Sequence, residues 1–316
     1  MLAYILKRVL AMVPVVAILS VVVFLIVYLT PGDPASTLLG MEASAEDIAA
    51  LNAQMGLDKP PVERFVSWAA AALQGDLGDS LFMDMPVTQA IAEHFVPTLS
   101  LALLAQLIAI VIAIPCGIVA ALRRGTWADA LLRTVSLLGA AVPGFLMGLL
   151  LMLAFAVKLR IFPVAGYEPL ESGLAQHLRY LALPAIALGV VQAALLMRMT
   201  RSSLIDTLKS GYVRTARAKG LPEGRVVMRH ALRNASLPIL TAVGFSFGAL
   251  LTGAVVIESI FNIPGLGQLV TTSITRRDYP VIQGVLLVIA LLYSLVNLLI
   301  DILYGVLDPR ARQWNR

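Results

Sequence analysis

Six stretches of this chain run without a single Asp, Glu, Lys or Arg for long enough to cross the hydrocarbon core of a bilayer: residues 9–29, 97–122, 134–157, 180–197, 234–257 and 281–300. A helix needs about 20 residues for that crossing, at about 1.5 Å of rise per residue. Backbone N–H and C=O groups find no water inside lipid, so runs of this length satisfy them internally as α-helices. Composition agrees, because 59% of the 316 residues are hydrophobic and only 14% charged, far from the proportions of a water-soluble domain. The expectation is an all-α integral membrane protein with six transmembrane helices. The stretch 180–197 is the shortest, and Pro184 and Gly189 are its candidate kinks. The first stretch follows Lys7 and Arg8 as a signal peptide would. It is expected to be retained as an anchor, because it ends at Pro31-Gly32-Asp33-Pro34 without a small-residue cleavage site.

Divided by these six spans, the charges fall unevenly. The N-terminus with 123–133, 198–233 and 301–316 holds 17 Lys and Arg against 5 Asp and Glu, whereas 30–96, 158–179 and 258–280 hold 7 against 14. The positive-inside rule places the first group, and so both termini, in the cytoplasm. The net charge of +5 therefore reports topology; no RNA- or DNA-binding module accompanies it, and nucleic acid is not an expected partner. The lone Cys116 cannot form a disulfide within the chain and is read as a packing residue. His94, His177 and His230 lack ligand spacing and are read as surface or interface residues, so neither a metal nor a catalytic site is expected.

The chain divides into an N-terminal end with the first helix (1–30), an acidic external cap (31–96) and a five-helix core (97–316). The cap is expected to hold a helix at 44–55 and an apolar–aromatic stretch, 65–73, lying against the membrane face. Within the core, segment 198–233 is basic and helical in pattern. Leu204, Leu208, Tyr212 and Ala216 recur every four residues through 202–219, as on one face of an amphipathic helix. Gly220 and Pro222 then mark a helix C-terminus. A second helical pattern aligns Arg225, Arg229 and Arg233, which suit anionic lipid headgroups; membrane lipid is thus an expected partner. Gly144 with Gly148, and Gly244 with Gly248, form small-xxx-small pairs that suit either close helix packing or a moving gate, and Pro115 and Pro143 are candidate kinks.

At the Gly220 turn the sequence Tyr212-Val-Arg-Thr-Ala-Arg-Ala-Lys-Gly220-Leu221, followed by Arg229-His-Ala-Leu-Arg-Asn234 and Leu237-Pro238, resembles the coupling loop of binding-protein-dependent ABC importer permeases. More narrowly, it is similar to the first-permease subunit of the dipeptide, oligopeptide, glutathione and nickel group. The same resemblance runs through Leu2-Ala-Tyr-Ile-Leu-Lys-Arg8, Thr30-Pro-Gly-Asp-Pro34, Gly75-Asp-Leu-Gly78 with Ser80, Phe261-Asn-Ile-Pro-Gly-Leu-Gly267, Arg277-Asp-Tyr-Pro-Val-Ile-Gln283 and Asp308-Pro309. In the wider superfamily the loop begins Glu-Ala-Ala, where this chain has Arg214, Thr215 and Ala216, so a carboxylate contact at 214 is absent.

The resemblance implies a type I importer fold and an ATP-driven import of dipeptides or oligopeptides delivered by an external solute-binding protein. Glutathione or a nickel or metal chelate is the alternative cargo. It implies a second related permease subunit and two ATP-binding subunits as partners, with ATP and Mg²⁺ held by those subunits and no cofactor on this chain. Tyr212, Arg214, Thr215, Ala216, Arg217, Gly220 and Leu221 would couple to the ATPase, with Ala216 small enough for close approach. Phe261, Asn262, Pro264, Gly265 and Gly267 would form an outer mouth or gate, a plain external turn being the other reading. No GxxxxGK[ST] phosphate loop occurs in the chain, so hydrolysis is expected on a partner. A secondary transporter is the principal rival, but such carriers keep ionisable residues in the membrane and the six apolar stretches contain none.

Overall fold

The computed structural model describes residues 2–29, 35–36, 43–54 and 58–307. The motifs at 30–34 and 308–309 lie outside them. The described residues form a helical bundle: α1 (Leu2–Leu29), α2 (Ala45–Gln54), α3 (Pro61–Leu73), α4 (Val87–Leu122), α5 (Trp127–Ala141), α6 (Gly144–Leu151), α7 (Leu174–Leu208), α8 (Gly211–Ala218), α9 (Leu232–Phe261), α10 (Leu266–Arg276) and α11 (Tyr279–Leu307). A π-helical stretch, Met152–Lys158, prolongs α6, and another, Val226–Ala231, leads into α9.

Among the described residues, α1, α4, α7, α9 with its lead-in, and α11 are long and apolar enough to cross a membrane. The third expected span differs. It is a pair of helices, Trp127–Ala141 and Gly144–Lys158, bent by 97° at Val142-Pro143. Proline supplies no N–H and drives the residue before it out of the helical region, and Val142 is accordingly extended (φ −82°, ψ 121°). The other interior prolines, Pro14, Pro97, Pro115, Pro184 and Pro238, sit inside uninterrupted helices. The shortest expected span is in fact part of the 35-residue α7, because polar residues at both ends continue the helix beyond the apolar run.

Helices α4 and α7 pack along most of their length, and small residues let them. A Cβ on Gly117 would stand 2.9 Å from the Met197 carbonyl oxygen, and one on Gly189 would stand 2.8 Å from that of Ala105. Gly189 is therefore a close-approach residue rather than a kink. Ala105, Ala109, Ala113, Ala120, Ala185, Ala187, Ala193 and Ala194 are all buried on the same two helices, as in other bundles that pack without a hydrophobic driving force between helices. Helix α9 packs on this pair, and α11 crosses it at Gly248, where an added Cβ would lie 2.6 Å from the Tyr293 ring. Gly148 likewise meets Ile257 and Phe261, while Gly144 faces open space, so only one member of that glycine pair packs.

Helix α1 leans on α11, joined by an Arg8–Asp301 ion pair (3.1 Å), and keeps Leu10, Val13 and Ile18 on its outer surface. In the amphipathic α3 the Phe65 and Trp68 rings lie 5.4 and 6.0 Å from that of Phe24, which sets the expected aromatic stretch against the first span. His177 is buried, its Nδ1 2.7 Å from the Glu168 carbonyl oxygen, and is a core residue rather than a surface one.

Candidate functional site

The coupling segment is assembled where α4 and α7 end and α9 begins. Helix α7 stops at Leu208 because Ser210 is extended (ψ 150°), and α8 restarts at Gly211. That break shifts the helical phase. The expected single stripe through Leu204, Leu208, Tyr212 and Ala216 is not one face: Leu204, Val213 and Ala216 are buried, while Tyr212 is exposed. Val213 and Ala216 belong to one buried apolar cluster with Ala121 of α4, Leu204 of α7, Val226, Val227 and Ala231 of the π-helical lead-in, and Ala235 and Ile239 of α9. Ala216 thus fits its own bundle, and the outward face of α8 is made by Tyr212, Arg214, Thr215 and Arg217.

The turn after α8 is closed by backbone bonds. The Gly220 N–H donates to the Arg217 carbonyl (2.9 Å) and the Leu221 N–H to that of Ala216 (3.4 Å), the paired pattern of a left-handed helix stop. Gly220 has φ +77°, and an added Cβ would meet nothing within 4 Å. The turn is pinned outside by Arg217, whose Nε and Nη2 donate to both Glu223 oxygens (3.0 and 2.5 Å), and these bonds raise the guanidinium pKa above its ordinary value. Leu221 packs partly into the same apolar seat, and Asn234 donates to the Tyr212 hydroxyl (2.7 Å). Arg225, Arg229 and Arg233 are exposed. An open groove of about 490 Å³, lined by Ser202, Asp206, Thr207, Tyr212 and Asn234 among others, runs beside α8.

The same end carries an arrangement absent from the sequence reading. Asp129, in the first turn of α5 and 1% exposed, accepts from Arg201 Nε (2.7 Å) and Nη2 (2.8 Å) and from the Gly125 N–H (3.0 Å). This fork joins α5 to α7 just above the coupling turn.

At the opposite end, Phe261 is buried beneath Gly148, and its carbonyl accepts from the Gly166 N–H (2.7 Å). Asn262 is left-handed (φ 50°) and exposed, Pro264 is exposed, and Gly265 and Gly267 are buried. The glycines lie against Glu258, a fully buried carboxylate in the last turn of α9. Glu258 accepts from the Thr98 hydroxyl (2.6 Å) and from the N–H groups of Gly267 (2.7 Å) and Gln268 (3.1 Å). Thr98 Oγ1 in turn accepts from the Leu266 N–H (2.7 Å). The motif at 75–80 meets the one at 277–283 nearby, where the Ser80 hydroxyl donates to Asp278 Oδ2 (2.5 Å).

Two family models match the sequence: the inner membrane component of binding-protein-dependent transport systems over residues 113–313, and the N-terminal part of such components over residues 1–102. The chain is a permease subunit of a binding-protein-dependent ABC importer. Among relatives, the permease is 40% identical to the probable peptide ABC transporter permease protein y4tP of Sinorhizobium fredii over 309 residues, 98% of this chain and 99% of that one. It is 42% identical to the glutathione transport system permease protein GsiC of Escherichia coli (strain K12) over 312 residues, 99% of each chain. In fold, 70% of the permease superposes on 97% of a chain of the MetNI methionine ABC transporter in an inward-facing conformation, with a TM-score of 0.58 and 17% identity. The family consists of membrane permeases rather than enzymes, working with ATPase and binding-protein subunits.

The fifth expected span stops at residue 257, one residue before Glu258. The available signal was a lone carboxylate abutting a charge-free run and followed by Pro-Gly-Leu-Gly, a helix start in need of an acceptor. Glu258 is a buried acid in the last turn of α9, just outside the charge-free stretch 234–257. Its bonds to backbone N–H groups give it a capping role, which differs from the exposed or paired acid of a proton-coupled carrier.

Proposed function

We propose that this permease forms half of an inward pathway for short peptides or a peptide-like solute such as glutathione, delivered by an external binding protein. The observation that carries this is similarity along essentially the whole chain to a peptide permease and a glutathione permease at about equal identity. A second, related permease completes the pore, and two ATP-binding subunits hold ATP and Mg²⁺ and drive the cycle. Segment 198–233 lies in the cytoplasm with both termini, while 31–96 and the outer-mouth segment 261–267 lie outside. The charge asymmetry supports that orientation. In this arrangement Arg214, Thr215 and Tyr212 face the ATPase cleft, Val213 and Ala216 transmit its movement into α4, α7 and α9, and Gly220 fixes the turn. A short helix seated on three long ones passes on a rigid-body displacement with little loss. Arg225, Arg229 and Arg233 remain available to lipid headgroups.

Sidedness is tested with single cysteines at Ala50 and Gly211, both exposed, in a Cys116→Ala background. An impermeant thiol reagent added to intact spheroplasts is expected to label the first and not the second; labelling of both from outside refutes the orientation. Energy source and cargo are tested by uptake into vesicles carrying the assembled importer. Transport of peptides or glutathione is expected to continue after the proton gradient is collapsed and to stop without ATP. Dependence on the gradient instead would mark a secondary carrier.

A further inference from the structure

We propose that Glu258 is a positioning residue of the transport cycle: with Thr98 it clamps the 261–267 segment and the start of α10 to α4 and α9, so that the outer mouth moves with the helices that seat the coupling helix. The inference rests on the reading above and adds to it a residue and a mechanical role.

Three backbone N–H groups at the start of α10 would otherwise lack acceptors. Those of Gly267 and Gln268 end on one Glu258 oxygen, and that of Leu266 ends on Thr98 Oγ1, while the second Glu258 oxygen takes the Thr98 proton. Helix start, α4 and α9 are thereby joined through a single buried carboxylate, where an unmade bond is costly. The glycines record how close the fit is. A Cβ on Gly265 would overlap the Glu258 carboxyl group, and one on Gly267 would meet Val255 and stand 2.7 Å from Glu258 Oε2. Beyond the far end of α10 another buried carboxylate, Asp278, 1% exposed, accepts from the Ser80 hydroxyl. Of the segment 261–267, only Asn262 and Pro264 remain exposed.

The two helices joined by the clamp are two of the three that meet at the coupling seat. Thr98 and Ala121 lie on one unbroken helix, about 35 Å apart at the usual rise, and Ile239 and Glu258 lie on another. A shift imposed at Val213 and Ala216 therefore arrives at the outer mouth through α4 and α9 together. This is the role of a clamp rather than that of a hinged flap.

The geometry distinguishes a clamp from a charge that serves transport directly. Glutamine at 258 keeps an oxygen for the two α10 N–H groups and offers its amide to Thr98 Oγ1. Thr98 then has the His94 carbonyl, 3.5 Å away, as an acceptor for its own proton. Alanine supplies none of this. The experiment compares Glu258→Gln, Glu258→Ala and Thr98→Val in the complete importer in nanodiscs, reading hydrogen exchange at 266–268, basal ATP hydrolysis, and hydrolysis stimulated by the loaded binding protein. Expected is loss of amide protection at 267 and 268 for Glu258→Ala and at 266 for Thr98→Val, with α4 and α7 unchanged, basal hydrolysis retained, and stimulation reduced on the order of tenfold in both. Glu258→Gln is expected to keep both protection and stimulation. If Glu258→Ala does not assemble, Thr98→Val against Glu258→Gln carries the comparison. Stimulation as in wild type despite lost protection overturns the positioning role, and loss of stimulation in a well-protected Glu258→Gln importer assigns the function to the charge instead. A wild-type importer that no binding protein stimulates contradicts the functional reading, and the exchange data then test the clamp alone.

Discussion

Replacing Arg201 with alanine is expected to lower the stability of the permease by about 3 kcal/mol, toward the lower end of what breaking a buried ion pair costs. Asp129 is 1% exposed and would lose the guanidinium fork that compensates its buried charge. What remains is the Gly125 N–H and Arg133, a half-exposed side chain 3.4 Å away, which softens the loss without replacing two aligned bonds. Arg133→Ala alone should cost no more than about 1 kcal/mol, as exposed pairs do. The double replacement Asp129→Leu with Arg201→Met should recover most of the stability, because no buried charge is left unpaired. The measurement is the unfolding midpoint of the detergent-solubilised permease for the four variants. An Arg201→Ala protein as stable as wild type, or a double variant worse than the single, would show that the fork does not join α5 to α7 as described.

The spans could be read from the sequence because crossing lipid imposes a length and an absence of charge, and both are local. Five of the six expected stretches lie within long helices. The exception marks a limit: Pro143 announced a break, but a proline does not fix how far the chain turns beyond it, and the 97° bend depends on how α6 packs against α7 and α9. In the coupling segment the Gly220 stop was legible because left-handed backbone favours glycine. The helical phase was not, because one extended residue, Ser210, resets it and exchanges Tyr212 for Val213 on the buried face.

The buried polar groups were illegible for a different reason. Glu258 finds Thr98 across 160 residues of sequence, Ser80 finds Asp278 across 198 and Arg201 finds Asp129 across 72. Each member alone is an ordinary polar residue, and no local pattern points to its partner. Only the bundle brings them together, and burial then makes each bond matter more than its type suggests. The motifs at 75–80, 261–267 and 277–283, separately weak as sequence signals, prove to be neighbours at one end of the molecule.

At Gly220 the expected functional effect is larger than the structural one, and a graded series separates its causes. The residue holds φ +77°, while an added Cβ would find no atom of this chain within 4 Å. Any cost within the permease is therefore backbone strain: about 1 kcal/mol for alanine, up to about 3 for valine, and little for asparagine, which tolerates the left-handed region. Asparagine and valine are close in size. If the turn matters through its backbone geometry, activity should fall in the order glycine, asparagine, alanine, valine, with Gly220→Val inserted and folded but releasing the ATPases or hydrolysing ATP without uptake. If it matters because a partner surface lies against it, asparagine and valine should be equally harmful and alanine the mildest. Lys209→Ala, on the exposed side of the break between α7 and α8, serves as the control with little expected effect. Co-purification of the ATPases and binding-protein-stimulated hydrolysis in proteoliposomes read the outcome. Wild-type behaviour in Gly220→Val would remove the turn from the coupling mechanism and leave segment 198–233 as a lipid anchor, because a strained turn that transmitted force could not leave both measurements unchanged.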